Sequence, residues 1–229
     1  PTGGWGITAY ALGVVVGAPL IAVAGARLAR KRLLLGLVAL LTVANLASVL
    51  APSFAFFVAA RFASGLPHGA YFGIGAVLAS SLVPAHLRGR SVAFMMTGLT
   101  VANVAGVPVS TWLGQVLGWR ATYLVVVAVF LLTALAIIWL VPDVPRDDAL
   151  SPRRELSALA RPQVWLTLAI GSVGYGGLFA VYSYISPTLT TVTGLPEAAV
   201  PAVLAVFGLG LTLGTVVSGR LADRSGGRE

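Results

Sequence analysis

A chain of 229 residues that is 58% hydrophobic and only 10% charged lacks the polar surface of a water-soluble domain, which carries about 25% charged residues. Its formal charge of +8 lies in short clusters between apolar runs, not on one basic face, which argues against nucleic acid as a partner. Cysteine is absent, so disulfides and thiolate metal sites are excluded.

A helix that crosses a bilayer needs about 20 mostly apolar residues. Seven such runs are predicted, over residues 5–25, 33–51, 54–83, 92–117, 122–141, 164–189 and 198–219. The lipid bilayer is therefore the expected solvent, and the fold class is all-α and polytopic. The loops between the runs alternate in charge. Basic residues follow the first run (Arg27, Arg30, Lys31, Arg32), the third (Arg88, Arg90), the fifth (Arg146, Arg153, Arg154, Arg161) and the seventh (Arg220, Arg224, Arg228). With those loops in the cytoplasm, every Lys and Arg is inside except Arg120 and Arg61. This is the positive-inside pattern. It makes Pro1 extracytoplasmic and Glu229 cytoplasmic. A single Lys among many Arg, in a chain rich in Ala, Gly and Val, points to a bacterial plasma membrane.

Small residues stripe three of the runs. Gly13 and Gly17 lie on the first. Gly98, Ala102, Gly106, Ser110 and Gly114 recur at every fourth position of the fourth. Gly210, Gly214 and Ser218 lie on the last. Such stripes let two backbones approach in lipid, where packing drives helix association. They are read as moving interfaces, with static packing inside one bundle as the alternative. "GLGLTLG", from Gly208, has neither the spacing nor the preceding strand of a nucleotide-binding loop.

The third run contains "RFASGLPHGAYFG" (61–73). On a helix, Arg61 and His68 are about 20° apart around the axis and about 10 Å apart along it. A charge at mid-membrane costs at least about 2.5–3.5 kcal/mol, so such residues face the bundle interior and take a partner. Arg61 cannot shed its proton, whereas His68 can titrate near neutrality. No Asp or Glu lies inside any run. The partner of Arg61 is thus expected to be a carbonyl, a water, or a carboxylate outside this stretch. For His68 the alternative is a histidine satisfied by neighbouring helices, with Pro67 and Gly69 relaxing the backbone. In the sixth run Tyr175, Phe179, Tyr182 and Ser186 share one helical face. With Phe72 they are candidates for lining a substrate cavity, the alternative being an interfacial aromatic belt.

The chain repeats itself. "LGVVVGAPLIAVAGAR", from Leu12, aligns with "LGLTLGTVVSGRLADR", from Leu209, so that Gly13, Gly17 and Arg27 match Gly210, Gly214 and Arg224. The polar connector 142–163 separates five runs from two. The expected organisation is an N-terminal helical bundle over 1–141, a cytoplasmic central loop over 142–163 and the start of a C-terminal bundle over 164–229. The first residue is not Met, and the last lies in a charged turn. The chain is therefore read as a fragment, spans 2–8 of an expected twelve.

"GRLADRSGGR", from Gly219, resembles the loop signature of the major facilitator superfamily, Gly-x-Leu-Ala-Asp-Arg-x-Gly-Arg-Arg. "GVPVSTWLGQVLGWR", from Gly106, resembles the fifth-span motif of its drug:proton antiporter branch. "YALGVVVGAP", from Tyr10, and "RFASGLPHGAYFGIGA", from Arg61, are similar to arabinose-efflux and chloramphenicol-resistance type exporters. The resemblance covers the whole chain and implies six spans in each of two halves. It implies proton-coupled export of drugs or sugar-like molecules by alternating access, with no cofactor beyond the proton gradient. Protons, a small-molecule substrate and the lipid bilayer are the implied partners, and the carrier is expected to be a monomer. Arg61 aligns with the fourth-span arginine implicated in proton coupling, with His68 beside it. Related antiporters place an acid on their first helix, which would be the partner of Arg61. Gly13, Gly17, Gly98, Ala102, Gly106, Pro108, Gly210 and Gly214 fall at the seam between the halves. Gly219, Asp223 and Arg224 form a cytoplasmic latch, whose alternative is a solvated basic turn. Two departures stand out. Ala22 and Ala26 replace the latch glycine and acid in the first loop, and the fifth-span Gly-Pro pair is split into Gly106-Val107-Pro108, which shifts the bend.

The competing classes are a non-transporting sensor or scaffold of the same fold, and an intramembrane enzyme. An enzyme would need a nucleophile with a base or a metal cluster. His68 and His86 are the only histidines, and no Cys or in-span acid joins them. If the fourth-run stripe moves during transport, Gly106→Leu should block transport while membrane insertion persists. Unchanged substrate flux through a well-inserted variant would contradict that role.

Overall fold

A computed structural model describes residues 3–25, 28–143 and 160–225, with the backbone alone at 3, 22, 215–216 and 218–225. Helices account for nearly all of them, and no strand occurs among the described residues. In chain order these are α1 (Gly3–Gly25), α2 (Arg30–Val49), α3 (Phe54–Gly65), α4 (His68–Ser81), α5 (Arg88–Val101), α6 (Val107–Leu117), α7 (Trp119–Leu140), α8 (Pro162–Pro187) and α9 (Val200–Ser225). Among the described residues, six helical stretches are long and apolar enough to cross a membrane. The remaining expected run, the third (54–83), is not one helix. It divides into α3 and α4 at Leu66-Pro67. A proline ring has no N–H to give and crowds the carbonyl four residues back. Here that carbonyl belongs to Ala63.

The chain forms two compact units, Pro1–Arg88 with Tyr123–Ser183, and Gly89–Thr122 with Tyr184–Glu229. In the first, α1 packs along α3 and α4, and α2 packs on the same two helices. Leu34 and Val38 of α2, Leu78 of α4 and Ile137 of α7 form a buried core, with Tyr71, Ile74 and Phe130 against it. The polar side chains of α2 close onto their own helix. Thr42 Oγ1 donates to the Val38 carbonyl at 2.8 Å, Asn45 Nδ2 to Leu41 at 2.8 Å and Ser48 Oγ to Ala44 at 3.0 Å. In lipid, this satisfies groups that water cannot reach. Lys31 Nζ donates to the Ile138 carbonyl at 3.1 Å. A cation at a helix C-terminus is favourable, and this one sets the start of α2 level with the end of α7.

In the second unit, α9 packs on α6 and on the segment before it. That segment, Ala102–Gly106, is a π-helical turn. The Val107 amide donates to the Ala102 carbonyl, five residues back. A π turn absorbs one extra residue inside a helix. The split Gly106-Val107-Pro108 is therefore accommodated, and α6 starts at Val107 with Pro108 in its first turn. A proline there costs least, because its φ suits the helix. Gly118, at φ +85°, then turns the chain into α7, a conformation that side chains disfavour.

The contact of α1 with α3 is the tightest in the first unit. A Cβ on Gly65 would overlap the Tyr10 carbonyl, one on Gly13 the Phe62 carbonyl, and one on Gly17 the Leu66 carbonyl. At Gly73 of α4, by contrast, a Cβ would meet nothing within 4 Å. Gly65→Val should therefore destabilise the protein by about 3 kcal/mol, the upper end for overpacking, while Gly73→Val stays close to wild type. Thermal unfolding of the detergent-solubilised protein measures both. Equal unfolding of the two variants would contradict the packing account.

Candidate functional site

The glycine contact brings α1 onto the break in the third run, and a polar cluster forms there. Tyr10 of α1 stands between Arg61 of α3 and His68, the first residue of α4. Arg61 Cζ lies over the Tyr10 ring, 4.4 Å from its centroid, and 5.5 Å from the centroid of Tyr123 on α7. Its Nη1 donates to Ser64 Oγ at 3.3 Å, and Ser64 Oγ in turn donates to the Arg61 carbonyl at 2.8 Å. Tyr10 Oη and His68 Nδ1 are 2.7 Å apart. The His68 ring meets Tyr10 edge-on at 5.5 Å and Phe72 at 5.0 Å. Phe57 completes the group, edge-on to Tyr123 at 6.0 Å.

Magnitudes explain how Arg61 is held. A guanidinium over an aromatic face gains about 2 kcal/mol when desolvated. Two such faces are of the same size as the insertion cost of about 2.5–3.5 kcal/mol. Sequence reasoning offers Arg61 a carbonyl, a water or a carboxylate and omits the aromatic face. Tyr10, Tyr123 and Ser64 are the residues it misses. Tyr10 carries one of two hydroxyls, with Thr8, in the apolar run 5–25 and sits one turn before Gly13, a signal that is present but weak. Nothing in the sequence ties Tyr123 to Arg61.

The other predicted residues fall into separate groups. Phe72 packs with His68 and Tyr71. On α8, Tyr175 stacks with Phe179 at 6.5 Å, and Phe179 meets Tyr182 edge-on at 6.2 Å. The three form a ladder on one helix, and Tyr175 is 68% exposed. Gly13 and Gly17 pack on α3 within their own unit. In the second unit the close approach is made by Gly208, not by its neighbours on the predicted stripe. A Cβ on Gly208 would lie 2.5 Å from the Asn103 carbonyl oxygen and 3.0 Å from Val104 Cα. Pro108 has no N–H to offer that carbonyl, five residues back along the π turn. A Cβ on Gly106 would meet only Ala102 Cβ, at 3.7 Å, and one on Gly98, Gly210 or Gly214 would meet nothing within 4 Å among the described residues. The helix that contains Gly219, Asp223 and Arg224 is described, but their side chains lie outside the described residues, as do Arg27 and most of the central loop. No group of metal-ligating residues occurs among the described residues.

These features define a class of protein: a multi-pass helical membrane protein with a half-buried cation at a broken span. The chain belongs to the Major Facilitator Superfamily, which it matches over residues 1–229. It is 39% identical over 225 residues to the inner membrane transport protein YdhP of Escherichia coli K12, covering 98% of this chain and 58% of that protein. It is 40% identical over 226 residues to the putative transporter AraJ of the same organism, covering 98% and 57%. To the chloramphenicol resistance protein of Streptomyces lividans it is 34% identical over 227 residues, covering 97% and 58%. The chain thus spans somewhat over half the length of these relatives.

Gly208→Leu should separate α9 from the π turn. It should lower the unfolding temperature of the detergent-solubilised protein, whereas Gly210→Leu, which meets nothing within 4 Å among the described residues, should lower it less. Thermal unfolding of the two variants checks this. Equal unfolding temperatures would contradict it.

Proposed function

We propose that the complete protein is a proton-coupled secondary transporter that exports small molecules by alternating access. One observation carries the reading: a permanent cation, Arg61, sits inside the membrane span in contact with Tyr10, Tyr123 and Ser64, beside an imidazole at a helix break. Ionisable groups inside a bundle mark ion pathways and proton relays. In this reading Arg61 supplies a fixed positive charge, and the protonation of a neighbouring group sets how strongly that charge is balanced. His68 is one such group. The acid implied for the first helix of related antiporters is another. Protonation would change the cost of exposing the site and so bias the inward-facing and outward-facing states.

The Tyr175, Phe179 and Tyr182 ladder, with Phe72, supports an amphiphilic or aromatic substrate, since ring faces and hydroxyls recognise both parts of such a molecule. The relative named as a chloramphenicol resistance protein fits a drug-like substrate. Sugar-like molecules are the other class. We keep the two-bundle division at 142–163 and the cytoplasmic side for the basic loops. The contact from Lys31 to the end of α7 supports placing the first basic loop and the central loop on one side. A monomer with no cofactor beyond the proton gradient completes the proposal, and Gly219, Asp223 and Arg224 form its cytoplasmic latch.

Family membership and relatives named as transporters set the enzyme reading aside. A sensor of the same fold is separated by function. Proteoliposomes holding the complete protein, loaded with an acidic lumen relative to the bath, should accumulate a candidate drug substrate above the external concentration, by up to about tenfold per unit of imposed pH difference for one-to-one exchange. Collapse of the gradient by a protonophore should release it. Binding without accumulation would identify a sensor and overturn the proposal.

A further inference from the structure

We propose that Tyr10 is the positioning residue that joins Arg61 to His68 across the break between α3 and α4, with its hydroxyl fixing His68 as the Nε2–H tautomer. The inference rests on the coupling reading for its effect on transport, and on geometry alone for its structural part. Tyr10 touches both groups. Its ring face lies under Arg61 Cζ at 4.4 Å, while its Oη is 2.7 Å from His68 Nδ1. The backbone holds it in place, because the Tyr10 carbonyl rests against Gly65 in the contact that no Cβ fits. Tyr10 therefore moves with the break itself. A displacement of α1 along α3 would shift the support under the cation and the bond to the imidazole together.

The direction of that bond follows from the partners. A phenol O–H is a better donor than a neutral imidazole N–H, and an imidazole nitrogen is a better acceptor than a phenol oxygen. The hydroxyl thus donates to Nδ1, and the proton of neutral His68 resides on Nε2. Which ring nitrogen carries the proton is set by the bond the other makes. The titratable or charged side chains on the surrounding elements are Arg61 of α3, Tyr71 of α4, Arg120 and Tyr123 of α7 and the basic residues at the start of α2. No acid joins them among the described residues. Fixing Nε2–H leaves one defined donor on His68, aimed away from Tyr10, for whatever group exchanges protons there.

The test uses the complete protein in lipid nanodiscs, labelled with 15N-histidine, with the His68 signals identified by their loss in His68→Asn. In the wild type Nδ1 should resonate as unprotonated and Nε2 as protonated. Tyr10→Phe keeps the ring under Arg61 and removes the hydroxyl, so it should convert His68 to a mixture of the two tautomers. It should lower proton-driven export about fivefold, the effect of one lost hydrogen bond of about 1 kcal/mol. Tyr10→Leu, which removes the ring as well, should lower export further. A wild-type His68 protonated on Nδ1, or on both nitrogens, would overturn the assignment, as would the same tautomer in wild type and Tyr10→Phe. Should proton-driven export survive the loss of Arg61, the coupling reading falls while the tautomer comparison still decides the role of Tyr10.

Discussion

A guanidinium that cannot lose its proton has to be made tolerable inside lipid, and the first compact unit is organised around that constraint. Arg61 is not hidden by an acid within the described residues. It lies over Tyr10, with Tyr123 also near, and its nearest hydroxyl belongs to Ser64, itself fully buried. In the proposed reading, a cation held by ring faces instead of a tight buried ion pair stays responsive to a further charge that arrives or leaves.

The cluster exists because three glycines let two helices meet without side chains between them. Gly13, Gly17 and Gly65 place the backbone of α1 against that of α3 at the point where Pro67 ends the helical run. In lipid, where apolar burial drives association little, such backbone proximity is a main source of helix affinity. The same economy of side-chain bulk recurs in the second unit, with Gly208 on the Asn103 carbonyl of a π turn. Both close approaches coincide with irregular backbone next to a proline, Pro67 in one case and Pro108 in the other. Irregular backbone at membrane depth is tolerated where protein buries it. These two places are therefore where helix packing and a change of helix shape are coupled most directly.

Much of this was legible in the sequence, and the parts that were not share a cause. Apolar length gives the spans, and the split of Gly106 from Pro108 already signals an altered bend. Arg61 and His68 stand out by residue type alone. What the pattern does not give is pairing at a distance. Tyr10 reaches Arg61 and His68 across more than fifty residues of chain, and Tyr123 reaches Arg61 from another helix. A helical wheel treats 61–73 as one straight helix, so it puts Arg61 and His68 on one stripe but overlooks the break between them. Fixed spacing also favours Gly210 and Gly214, which match the repeat, over Gly208, which makes the contact. Periodicity finds faces, and only packing decides which residue of a face is used.

In the proposed reading, the charge on Arg61 links the proton gradient to substrate movement. The most direct measurement compares wild type with Arg61→Ala in the complete, reconstituted protein, reading proton-driven export and gradient-free substrate exchange in the same vesicles. Export driven by the gradient should be abolished while exchange persists. Proton-driven export at the wild-type rate in the variant would contradict it.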